Sequence, residues 1–143
     1  MAEIWIIDIL PQRVPAENAA RYFAFERYAV SGGRLAALYG RFARLVMKLN
    51  CYFGMELYLG RGREAEPDPA PDELERVFAE CAEPGGSIPG LRAEFNGGAG
   101  ALELDGGDHY MALFSPSAEL LELVKRLAAA EGLCVWQSET ENE

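Results

Sequence analysis

A single histidine, His109, serves all 143 residues, so a histidine-rich metal centre is not available. Cysteine is nearly as scarce. Cys51, Cys81 and Cys134 stand far apart, are odd in number, and have no second cysteine at two-residue spacing. That pattern excludes a cysteine zinc site and a disulfide framework, and fits reduced, buried thiols of a cytoplasmic protein. No apolar run reaches the length of a membrane span. The opening MAEIWIIDILPQ lacks a basic start and is interrupted by Asp8, unlike a secretory signal. Gly98-Ala99-Gly100 has no helical pattern after it, so neither a phosphate loop nor a dinucleotide turn is supported. No segment repeats, and no metal or other cofactor is expected.

Positive charge is also missing from most of the chain. Residues 1–60 carry seven Arg/Lys and five Asp/Glu, a balance of +2, whereas residues 61–143 carry six and eighteen, a balance of −12. The sum is −10. An acidic surface of this kind excludes general nucleic-acid binding through phosphates. It favours a basic protein partner, whose encounter it would accelerate.

What is present is a globular composition: half the residues are hydrophobic and a quarter charged. At this length one domain, residues 1–143, is expected to bury a full core. The clearest unit runs from Asp108 to Gln137. An apolar run, Tyr110 to Phe114, precedes Ser115-Pro116-Ser117, then a helical stripe of Leu120, Leu123, Val124 and Leu127. Pro116 suits a first turn, with Ser115 or Ser117 as cap, and Gly132 suits a left-handed helix end. A second apolar run, Leu133 to Trp136, completes strand, helix, strand. Both strands read as central ones covered on two sides, joined by a connection long enough for a parallel crossover.

From the beginning, Ile4 to Leu10 reads as a buried strand stopped by Pro11. Asp8 inside it requires a partner, because an unpaired buried carboxylate is costly. Residues 19–30 carry Tyr22, Phe23, Phe25 and Tyr28 with no winning period between helix and strand. Arg34 to about Asn50 is a firm helix, with Leu35, Leu38, Phe42, Leu45 and Leu49 as its seam. Met55 to Leu59 alternates like a strand. Residues 60–71 hold Pro67, Pro69 and Pro71 with Glu64, Glu66 and Asp68, and read as an exposed acidic loop. Asp72 with Glu75 has capping-box spacing ahead of the stripe Leu74, Val77, Phe78 and Cys81. Three short strands follow, separated by Asn96-Gly97 and Asp105-Gly106, both hairpin signals. Residues 138–143 read as a frayed tail. The expected fold class is α+β, a mixed and largely antiparallel sheet of five or six strands with two main helices and one short one.

Chemistry has few candidates. His109 could serve Cys51 or Cys134 as a base, oriented by Asp105 or Asp108, yet no nucleophile signature accompanies it; the simpler account is a turn histidine at a strand edge. Arg41, Arg44 and Lys48 form one basic stripe, able to meet an anionic ligand or the chain's own acids. Glu94 and Glu103 could oppose each other across a hairpin, which destabilises unless a cation intervenes.

The stretches WIIDILP, LVMKLNCYFGMELYLG and YMALFSPSAELLELVKRLAAAEGLCVW cover about a third of the chain. In general style it resembles the small α+β immunity proteins of bacterial polymorphic toxin systems. That resemblance implies a cytoplasmic, non-enzymatic inhibitor that occludes a toxin. The expectation is therefore a protein-binding module that presents Glu64, Glu66, Asp68, Glu94, Glu103, Asp105 and Asp108 to a basic partner. The alternative is a small enzyme or ligand-binding domain with a pocket near His109 or the Arg41/Arg44/Lys48 stripe. A homodimer would instead show a large apolar patch on one helix.

Overall fold

Among the described residues, apolar side chains build six of seven strands, and all seven join one sheet. A computed structural model of the chain describes residues 3–138. Its strands are β1 (Ile4–Asp8), β2 (Met55–Leu59), β3 (Glu66–Pro67), β4 (Gly90–Phe95), β5 (Gly100–Asp105), β6 (Met111–Phe114) and β7 (Cys134–Gln137). Its helices are α1 (Ala19–Ala29), α2 (Arg34–Phe53), α3 (Pro71–Cys81) and α4 (Ala118–Ala130). The sheet order is β3-β2-β4-β5-β6-β1-β7, and every neighbouring pair is antiparallel. The fold is α+β, as expected, with more elements than expected. The additional helix is α1, from the stretch whose period was ambiguous.

One sheet face carries Ile7, Met55, Leu57, Leu91, Ala93, Leu102, Leu104, Met111 and Leu113, all buried. Against them pack the predicted seam of α2, the predicted stripe of α3, and Leu120, Val124 and Ala128 of α4. The C-terminal unit departs from a simple crossover. β6 and β7 each pair with β1, which lies between them. They are therefore parallel to one another without touching. β7 is an edge strand, half-buried rather than covered on two sides.

Local chemistry explains the ends. Ser117 caps α4 by accepting from the Leu120 N–H at 3.1 Å, so Pro116 precedes the cap instead of entering the first turn. Gly132 takes the left-handed conformation (φ 75°), and the Leu133 N–H closes on the Ala128 carbonyl at 2.8 Å, a Schellman ending. At α3, Ala70 is the cap and Pro71 the first helical residue; Asp72 is already inside the helix and no side chain caps this end. Within the loop 60–71, Glu66–Pro67 add a strand to the sheet edge and Pro69 is buried. At the tail, Ser138 is buried and its N–H donates to the Ile4 carbonyl at 2.8 Å, so it extends the β7 ladder rather than fraying. The remaining tail, 139–143, lies outside the described residues.

Candidate functional site

The second sheet face is the one the helices of the core leave. Register places Ile4, Ile6, Ala101, Ala112, Phe114 and Trp136 on it, all half-buried. Beside this apolar strip, β2, β4 and β5 present Glu56, Tyr58, Arg92, Glu94, Glu103 and Asp105. Glu56 stands directly opposite Glu94, and Arg92 opposite Glu103. Glu94 and Glu103 are thus not opposed, as the hairpin had suggested. Arg92 resolves part of the repulsion: it pairs with Glu94 at 3.0 Å and lies 4.6 Å above the Tyr58 ring.

The seven acids expected to meet a partner do not form one surface. Glu94, Glu103 and Asp105 share the second sheet face. Glu66 registers with Leu57 on the helix-covered face, where a bond with Glu73 raises its pKa. Asp68 is used within the fold: its carboxylate accepts from the Met55 N–H at 2.9 Å. Glu64 is exposed in the connection to β3. Asp108 lies half-buried beside His109; burial and then Asp105 raise its pKa, while His109 opposes that rise.

A cavity of about 350 Å³ opens at the β1 end of the same face, lined by Asp8, Arg13, Tyr22, His109, Tyr110 and Trp136 among others. Here Asp8 finds its expected partner, though not an arginine. Its Oδ1 accepts from the Ile9 N–H at 2.7 Å and from His109 Nδ1 at 3.2 Å, and its Oδ2 from Trp136 Nε1 at 3.3 Å. His109 does sit in a turn, but it is only 1% exposed. Its Nε2 lies 3.0 Å from the Tyr22 hydroxyl and 3.3 Å from Glu26 Oε2. The orienting carboxylate is Asp8, from the far end of the chain, and not Asp105 or Asp108. Sequence carried one signal for this cluster, the carboxylate inside an apolar strand.

The Asp8–His109–Tyr22 line has the form of a nucleophile relay, but its electrostatics oppose that use. Burial alone lowers the His109 pKa; the bond to Asp8 and the charges of Asp8 and Glu26 outweigh it, and the net direction is upward. A base must be neutral, and this imidazole is held toward its cation. Burial, then Glu26 and Asp8, push the Tyr22 phenol up to about 12, which keeps its proton. Neither thiol proposed as nucleophile joins the line. Cys51 is exposed on α2 and contacts the Met47 carbonyl. Cys134 is half-buried on β7, across from Asp8 in register. Burial pushes the Cys81 thiol up to about 11.

Two of the three residues of the basic stripe are engaged internally. Arg44 Nε and Lys48 Nζ each lie 2.8 Å from Glu131, at the end of α4. Burial raises the Glu131 pKa, but these two cations outweigh it and lower it overall. The stripe thus clamps α2 to α4.

The fold and sites together define an α+β protein with a half-open, acidic and aromatic sheet face. No protein-family model, no curated protein and no solved structure matches the chain. Among the described residues no helix is long and apolar enough to cross a membrane.

Proposed function

We propose that this chain is a protein-binding module that receives a basic partner on the second face of its sheet, in the manner of an immunity protein occluding a toxin. The observation that supports this is the concentration of Glu56, Glu94, Glu103 and Asp105 around Arg92, with Arg61 at the rim near Glu103 and Asp105, beside a half-buried apolar strip. Like charges directly opposed across strands destabilise a sheet, and a cationic partner would relieve Glu56 against Glu94. The adjoining Ile6, Phe114 and Trp136 supply apolar area at the centre of such a contact, where aromatic anchors dominate binding energy.

The test is affinity capture from a lysate of the encoding organism at low salt. The baits are the native chain and a Glu94→Lys, Glu103→Lys chain. The proposal expects a basic protein held by the native bait alone, released at high salt, and toxic to cells unless this chain is co-expressed. If both baits retain the same proteins, or the captured protein is harmless, the proposal fails.

A further inference from the structure

Helix α1 is attached to the body in an unusual way. Three of its four aromatic side chains point outward, with Phe23 54%, Phe25 40% and Tyr28 58% exposed. The inward positions, one helical turn apart, are Ala19, Tyr22, Glu26 and Ala29, and only Ala29 is fully buried. Two of those four residues contact the same imidazole nitrogen, His109 Nε2. The opposite nitrogen, Nδ1, is held by Asp8 of β1. A helix normally docks through an apolar stripe; this one docks largely through a polar clasp.

From this arrangement we infer that α1 is a pH-released lid over the cavity beside Asp8, with His109 as its bolt. The cationic imidazole bridges the β1 carboxylate and the α1 carboxylate, and the Tyr22 ring forms one wall of the cavity. When the proton leaves, His109 can donate through only one nitrogen. Asp8 then keeps that bond and the Tyr22 hydroxyl can still donate to the bare Nε2, but Glu26 loses its cationic partner and faces the ring's lone pair. The lid loses its ion pair and is left on the Tyr22 bond alone, so it opens more often over the cavity.

The groups that face His109 all bear on the release. Asp8 of β1 and Glu26 of α1 favour the cation, and Tyr22 stays an uncharged phenol. Asp108 adjoins it in the chain, and its own carboxyl is stabilised as the anion by His109. The Tyr110 ring, just before β6, packs edge-on at 5.4 Å. Trp136 of β7 reaches it through Asp8. Among the described residues that line the cavity, Arg13 is the one cation. Because the folded pKa lies above the ordinary 6.5, the clasp is intact below that value and is lost as pH rises through the folded value. This inference does not depend on the proposed partner.

The experiment is amide hydrogen exchange of the full chain from about pH 6 to pH 9, corrected for intrinsic rates, with the His109 ring followed by NMR. The expected result is a loss of protection in α1 of about tenfold. It should track the His109 titration while α2 stays unchanged. Glu26→Gln, a substitution at a partly exposed helix position, should lower the His109 midpoint and open α1 at lower pH. Equal α1 protection across the range, or a His109 midpoint unmoved by Glu26→Gln, would overturn the lid.

Discussion

Glu131 shows what a well-placed charge does at the level of one residue. Its side chain is 8% exposed and receives both Arg44 and Lys48, which are half solvated. Solvent screening keeps each arm weak, so Glu131→Gln should cost about 1 kcal/mol at neutral pH in urea denaturation. The sign follows from its depressed pKa. The stabilisation is present above the ordinary carboxylate value of 4.5 and disappears as pH falls through the folded value. Native and substituted chains should therefore converge in stability under acid. Gly54 is the second residue with a sharp requirement. It ends α2 with φ 66° and ψ 159°, a conformation reserved for glycine. An added Cβ would also stand 2.5 Å from the Asn96 amide nitrogen and 3.2 Å from Asp68 Oδ1, which already binds Met55. Gly54→Ala is expected to cost about 2 kcal/mol, read as a lower denaturation midpoint with an unchanged m-value.

Among elements, the β2-β4-β5 surface centres on Arg92. Arg92 pairs with Glu94, faces Glu103 and stacks on Tyr58. Arg92→Ala leaves Glu56, Glu94 and Glu103 close together. Its pair is 41% and 45% exposed, so the loss at low salt is expected near 0.5 kcal/mol, shrinking in high salt as screening grows. A salt-independent loss would assign the effect to packing on Tyr58 instead. These elements also show where sequence was informative. α2, α3 and α4 were legible because their apolar residues recur at helical spacing and all three bury that stripe. α1 was not, because Phe23, Phe25 and Tyr28 lie on its solvent side and its inner face is Tyr22 and Glu26. The Asp8–His109 pair was half legible. A carboxylate within IWIIDIL demanded a partner, but the partner lies about a hundred residues away, and only the placement of β1 between β6 and β7 brings them together. The acidic set failed as one surface for a related reason. Strand alternation sends Glu66 to one face and Glu94 to the other, and that depends on register.

Taken as a whole molecule, the chain concentrates charge in space more than its total of −10 suggests. Its basic residues are partly neutralised where they stand, Arg44 and Lys48 by Glu131, while Glu56, Glu103 and Asp105 remain exposed on the half-open face. A field of one sign on an open face acts on encounter more than on residence. Once a basic partner is in hand, Glu94→Lys with Glu103→Lys should therefore slow its association about tenfold at low salt. It should also flatten the salt dependence of the on-rate, and change the off-rate less. Substituting Phe114 by Ala on the neighbouring apolar strip should do the reverse, raising the off-rate while leaving the on-rate and its salt slope nearly intact. Stopped-flow association across a salt series separates the two. If charge reversal changed only the off-rate, the acids would be direct contacts inside a dry interface. If neither the charge reversal nor Phe114→Ala changed either rate, the partner would dock elsewhere, and the β2-β4-β5 charge would serve solubility alone.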